Sequence, residues 1–268
     1  MITSDTNDTA EWTVRNSYGY IDSLIRYDWP WEFLRRHPKY QASWSQTHDA
    51  FEIMSREPAL TVIRARTNVS ELERWGCLYT DMPNIDARSA NVFWLPSRNA
   101  GVLHMHAMPA SAGLDTALFD LRTFPASVLI MPDGIQHIVF RGNGHGIQLA
   151  ISGASMHEPV YLLADSVLGL REARWRLASL QRFNDLRAGA PLPPAPAERH
   201  AARLKFVLQA LDGSLAGALQ RDIAVALFGE ERVEAEWNDP RQTLRNRVRK
   251  AIRRGRALMR GGYLRFLR

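Results

Sequence analysis

"RQTLRNRVRKAIRRGRALMRGGYLRFLR", residues 241–268, holds eleven Arg and Lys residues and no Asp or Glu. Such a stretch could be a disordered polybasic arm, a helix lying on a membrane surface, or a folded element that meets nucleic acid. Placed on a helix, Leu244, Val248 and Ile252 recur at four-residue spacing with Ala251 beside them, which makes a core-facing stripe. Arg245, Arg249, Arg253 and Arg256 run along one flank, and Arg247, Lys250 and Arg254 along the other. A disordered arm has no use for an apolar stripe. An interfacial helix needs a broader apolar face, rich in Trp, Phe or Leu, than this one offers. The pattern fits a helix that packs through one side and presents a positive field on the rest.

The charge balance agrees. Set the eleven cations of this stretch aside from the chain's 34 Lys and Arg, and residues 1–240 keep 23 against all 28 Asp and Glu. A mildly acidic body with a strongly basic end implies a polyanionic partner for the end. The 268 residues, 46% hydrophobic and 23% charged, suit one large or two ordinary globular domains. No run of eighteen apolar residues suggests a membrane span. The opening "MITSDTNDTAEW" lacks the basic and apolar regions of a signal peptide, so a cytoplasmic location is expected. Cys77 is the single cysteine, which excludes an intramolecular disulfide and a multi-cysteine zinc site.

Working back from the basic stretch, "LQRDIAVALFG" reads as the first helix of a helix-turn-helix. Ile223, Ala224, Leu227 and Phe228 face inward, Ala224 allows close packing, and Gly229 turns the chain. Asp239 reads as the N-cap and Pro240 as the start of the basic helix. The ten residues Glu230–Asp239 between them exceed the three or four of an ordinary turn, so a variant with an extended turn or another three-helix arrangement is expected. An earlier helix carries Leu204, Val207, Leu208 and Leu211 on one face and ends at Gly213. Before it, "APLPPAPA" (190–197) reads as a stiff linker and a domain boundary.

The rest is expected to be α+β. Residues 1–25 read as a polar tail. In "RYDWPWEFLRRHPKYQASW", Pro30 suits a first helical turn and Pro38 ends it. Trp29, Trp31, Phe33 and Tyr40 form the core of this small module or, alternatively, a partner-binding surface. Residues 51–75 are ambiguous. From Val92, "NVFWLP", "GVLHMHAM", "SVLIM", "IQHIVFR" and "IQLAIS" read as antiparallel strands across about 92–165, with turns at "PDG" and "GNGHG". Leu170, Leu177, Leu180 and Phe183 mark an amphipathic helix over 167–188, closed by Gly189. The expected organisation is therefore a tail (1–25), an α+β regulatory or assembly domain (26–189), a linker (190–197) and an all-α DNA-binding domain (198–268).

No catalytic motif is present: G-x-S-x-G, the P-loop and H-E-x-x-H are all missing. "GNGHG" feeds a strand and not the helix N-terminus that a phosphate loop requires. His104 and His106 share a strand face, but no Cys cluster or His-Glu pair completes a metal site beside them. Cys77 sits in an apolar setting and reads as buried. No enzyme, metal or cofactor is expected.

The segments "LDGSLAGALQRDIAVALFG", "WNDPRQTLRNRVRKAIRRGRALMRGGY" and "YDWPWEFLRRHPKY" resemble a two-part family of proteobacterial regulators. It contains RovC-like activators of type VI secretion and FseA-like activators of integrative and conjugative element excision. The resemblance covers about 26–45 and 198–268, with a weaker echo at "RWGCLY…VFWLP". It implies a variant helix-turn-helix DNA-binding domain with Arg245, Arg247, Arg249, Lys250, Arg253 and Arg254 on the DNA-facing helix. Arg221, Arg241 and Arg256 join them as candidate DNA contacts. Double-stranded promoter DNA, a second copy of the chain, and RNA polymerase or another regulator are the expected partners, with no membrane. Some relatives with this domain dock on other regulators, so an antiactivator is the alternative reading.

Overall fold

Pro30 sits in the first turn of a six-residue helix, α1 (Trp29–Leu34), where its missing N–H removes no helical bond. All six of its residues are buried in the computed structural model, which describes residues 11–57, 59–142, 145–164, 173–190 and 198–268. Pro38 does not end this helix, which stops at Leu34 with Arg35 as its C-cap. It opens a second, α2 (Pro38–Thr47), with the His37 ring accepting a bond from the Lys39 amide at 3.2 Å. Trp31 meets Tyr40 edge-on at 5.9 Å, and Tyr40 meets Trp75 at 5.8 Å. The Trp-rich set is thus interior packing. At its centre the Glu32 carboxylate, fully buried, accepts bonds from Arg35, Arg36 and the Ala87 amide. Burying one charge among three donors is tolerable where burying it alone would not be.

The described chain falls into two compact units. One spans Arg26–Pro196 with Leu264–Arg268 and is built on a sheet. Its strands are β1 (Phe51–Arg56), β2 (Leu60–Ala65), β3 (Cys77–Thr80), β4 (Val92–Trp94), β5 (Leu103–Pro109), β6 (Ala126–Ile130), β7 (Gln136–Phe140), β8 (Gln148–Gly153) and β9 (Val160–Ala164). A short α3 (Ser70–Glu73) precedes β3. Seven strands form one sheet in the order β1-β2-β6-β7-β8-β5-β9, and β3 and β4 pair separately.

The sheet is mixed, which corrects the antiparallel expectation. β2 pairs with β6 and β5 with β8 in parallel; the other neighbours run antiparallel. Parallel neighbours need long crossovers, and the chain supplies them by sending β2 and β5 to partners distant in sequence. The ambiguous 51–65 region becomes the β1–β2 hairpin.

One face of the sheet holds Leu103, Val128, Ile138, Leu149 and Ile151 against Phe183. Phe183 belongs to α4 (Ala173–Arg187), whose expected apolar stripe is only partly used: Phe183 is buried, but Leu177 and Leu180 are 54% and 37% exposed. Ser179, not either leucine, is the other buried residue of this helix. Leu170 and the linker beyond Ala190 lie outside the described residues.

The second unit joins the described part of Met1–Ile25 to Ala197–Tyr263. Residues 11–25, expected as a polar tail, instead form 3-10 helices at Glu11–Thr13 and Arg15–Ser23. Trp12, Tyr18, Ile21 and Leu24 are buried. The Trp12 carbonyl accepts a bond from Gln209 at 2.9 Å, and the Tyr18 hydroxyl donates to Asp212 at 2.6 Å. Gln209 and Asp212 lie on α5 (Ala201–Leu215). The last five residues leave this unit for the sheet unit, where Phe266 stacks on Phe33 at 6.4 Å.

Candidate nucleic-acid interface

Behind α5 come α6 (Gln220–Phe228), α7 (Glu230–Glu236) and α8 (Thr243–Met259). The ten residues expected as a long turn contain α7, so four helices stand where three were expected. Asp239 caps a turn, accepting from the Arg241 amide at 2.8 Å. α8 starts three residues beyond Pro240, after Gln242 in the left-handed conformation (φ 50°).

α8 packs through Leu244, Val248, Ala251, Gly255, Leu258 and Met259. Ile252, expected in this stripe, is only half-buried. Gly255 takes the central place because α5 passes so close: a Cβ there would lie 2.9 Å from the Leu211 Cβ and 3.2 Å from the Val207 carbonyl oxygen. Gly213, expected to end its helix, lies inside α5 for the same reason. A Cβ there would meet Ile223 of α6 at 2.8 Å and the Trp12 ring at 3.0 Å.

The candidate arginines divide into two groups. Arg245 leans on the Trp237 ring, its guanidinium carbon 5.0 Å from the ring centre, and donates to the Asn238 side chain at 3.1 Å. Arg247 lies over Phe228 at 4.8 Å and Phe206 at 5.8 Å. These two fasten the flanks of α8, and Arg254 is half-buried on the Arg247 side. Arg249, Lys250, Arg253 and Arg256 are exposed, as are Arg221 on α6 and Arg241 in the preceding turn; Arg247 is exposed as well, despite its ring contacts.

Arg249, Arg253 and Arg256 line a groove of about 430 Å³ between α8 and the first turn of α6. Arg249 donates to the Gln220 side chain at 3.3 Å, and Arg256 to the Ser214 hydroxyl at 2.8 Å. No carboxylate is among the described lining residues. Arg260 also lines the groove and was not among the sequence candidates. It stands seven residues beyond Arg253, a spacing that returns to the same side of a helix, and that signal could have found it. Gln220 was missed too; only the packing of α6 on α8 brings it there.

A cluster of guanidinium groups without a competing carboxylate, beside the N-terminal amides of a helix, suits phosphate oxygens. α7 carries the opposite charge: Glu230, Glu231 and Glu234 are exposed. No described helix is long and apolar enough to cross a membrane.

Two family models match the chain. Residues 166–268 match one described as a T6SS transcription factor, DNA-binding domain. Residues 11–79 match a proteobacterial transcriptional regulator-like domain. That match begins at the segment expected as a tail. No curated protein matches the chain. The chain thus joins a region similar to the RovC-type DNA-binding domain to one similar to a regulator-like domain, and the two matches together support a RovC-like proteobacterial regulator.

Proposed function

We infer that this regulator activates transcription by seating α8 and the groove beside it on promoter DNA. The targets are genes of a secretion system or of mobile-element transfer. The carboxylate-free groove of Arg249, Arg253, Arg256 and Arg260 supports this reading most directly. These groups neutralise phosphates, and the N-terminal half of α8, with the exposed Arg241 and Asn246, meets base edges. The protein works on nucleoid DNA in the cytoplasm as a homo-oligomer, because one recognition helix covers too few base pairs for useful specificity. The sheet unit supplies the contact between copies, and RNA polymerase or another regulator is the further partner.

Chromatin pull-down followed by sequencing identifies the sites, and anisotropy on a recovered fragment across a salt series measures the electrostatic part. Four to six phosphate contacts give a slope of log K against log salt of roughly −4 to −5. A flat response overturns the reading. A second reading, an antiactivator that docks on another regulator, has Leu215 and Leu219 in its favour, 40% and 72% exposed on the same helical unit. It predicts no DNA sites and salt-insensitive capture of a protein partner.

A further inference from the structure

The two faces of the seven-stranded sheet are unequally covered. On the face opposite Phe183, the β3–β4 pair covers one half: Ile63 and Leu129 pack with Leu78, Tyr79 and Phe93. The Gln148 side chain closes that half by two bonds to the Trp94 backbone, at 3.2 and 2.7 Å. Beyond Gln148 the face opens into a pocket of about 500 Å³ over β7, β8, β5 and β9, within the usual range for small-molecule sites.

Strand register decides what this pocket contains. His137 on β7 and His104 on β5 flank Ala150 of β8 in one lateral row. Ser152, His106 and Leu163 make the next row. Strands lie about 4.8 Å apart, so the two imidazoles of the first row rise from backbones roughly 10 Å apart. The single methyl of Ala150 leaves the floor between them open, with room for one ring-sized body.

The chemistry of the walls is specific. No Lys, Arg, Asp or Glu is among the described lining residues. His137 is 4% exposed, and its Nδ1 has no hydrogen-bond partner among the described residues. Buried polar atoms left in that state are uncommon and costly. Burial pushes this imidazole down to about 4, with His104 adding to the effect and Asp133 opposing it. The ring is therefore neutral near pH 7, with one nitrogen to donate and one to accept. His106 Nδ1 and the Ser152 hydroxyl are 3.1 Å apart at the exposed rim. Among the described residues no three His, Cys, Asp or Glu side chains gather as a metal site.

We propose that this face binds a small uncharged organic molecule, a ring bearing a hydroxyl, carbonyl or ring N–H, held between His104 and His137 over Ala150. An uncharged ligand suits walls without Lys, Arg, Asp or Glu among the described lining residues. Its polar group supplies the hydrogen bond that His137 Nδ1 lacks among the described residues, and Ala150 and Leu163 take its apolar body. The proposal does not rest on the DNA reading, and its test uses no DNA.

Full-length protein labelled with nitrogen-15 is titrated with phenol and with indole while the histidine ring resonances are followed by NMR. Benzoate and zinc serve as contrasting probes. Saturable shifts of the His104 and His137 rings are expected with at least one neutral probe. Affinity should drop at least tenfold in Ala150→Leu, which fills the floor. Ser152→Leu, at the exposed rim, does the same by blocking entry and serves if Ala150→Leu does not fold. No saturable shift with either neutral probe overturns the proposal, as does undiminished binding by a folded blocking variant. Shifts with zinc or benzoate alone overturn it by pointing to a metal or an anion. Shifts that follow protein concentration and not probe overturn it by placing a second copy on this face.

Discussion

The guanidinium carbon of Arg247 on α8 lies 4.8 Å from the centre of the Phe228 ring, the last residue of α6. An exposed cation of the basic helix therefore also packs against α6. A cation over an aromatic face contributes about 0.5–2 kcal/mol depending on exposure. Arg247→Ala should lower the stability of the helical unit by about that amount in urea unfolding followed by circular dichroism. Arg247→Lys keeps the charge with a poorer match to the ring and should lose part of it. An unchanged midpoint for Arg247→Ala would remove the packing role.

Arg249, Arg253 and Arg260 differ from Arg247 in lining the groove. Replacing all three by Ala should leave the unfolding midpoint near that of the parent. It should make the slope of log K against log salt shallower by about 2.7, at about 0.9 per phosphate contact. Anisotropy on a promoter fragment measures this. A folded triple variant with unchanged affinity and slope would show that DNA lies elsewhere.

Gly255 costs α8 about 1 kcal/mol of helix propensity relative to Ala, yet its place against α5 leaves no room for a side chain. Gly255→Ala should therefore destabilise the helical unit, net by about 1–2 kcal/mol, because overpacking exceeds the propensity gain. Gly255→Leu should prevent its folding. A stabilised Gly255→Ala protein, seen as a higher melting temperature, would mean that α5 and α8 separate easily.

Trp12 ties the start of the chain to α5 through its buried ring and through its carbonyl, which accepts from Gln209. Trp12→Ala should cost about 3–5 kcal/mol of helical-unit stability. Limited proteolysis should then cut the protein near residue 12 faster than in the parent. Equal cutting rates and equal midpoints would return residues 11–25 to the status of a tail.

His145 Nε2 and Asp28 Oδ1 lie 2.6 Å apart, with Asp28 5% exposed. Burial opposes the imidazolium, but the hydrogen bond and charge of Asp28 outweigh it and raise the His145 value above 6.5. A raised folded-state value stabilises the protein below the unfolded value of about 6.5, and that stability is lost as pH rises through the folded value. His145→Gln should therefore cost more at pH 6 than at pH 9 in urea titrations. An equal cost at both would deny the charge its part.

His137 has the opposite sign. Its folded value of about 4 is below the unfolded one, so stability falls as pH drops from about 6.5 to 4. The shift corresponds to something on the order of 3 kcal/mol. His137→Phe should flatten that acid limb, measured as urea midpoints across the window. An acid limb as steep as the parent's would assign it to other groups.

Local periodicity made much of this protein legible. The apolar positions Leu244, Val248 and Ala251 identify α8 as an amphipathic basic helix whatever surrounds it, because 3.6 residues per turn fixes which side chains share a face. The strand runs of 92–165 and the buried Trp29, Trp31 and Phe33 follow equally from composition and spacing. Periodicity cannot say which flanking arginine finds a partner. Arg247 and Arg253 look alike in sequence, and only the arrival of Phe228 from α6 divides them. Nor can it choose strand neighbours, since β2 beside β6 and β5 beside β8 are pairings between distant segments that no local pattern encodes. The groove at Gln220, the histidine row across three strands and the recruitment of Trp12 to α5 arise in the same way. A sequence carries the preferences of each element, while a site made from several elements exists only once they pack.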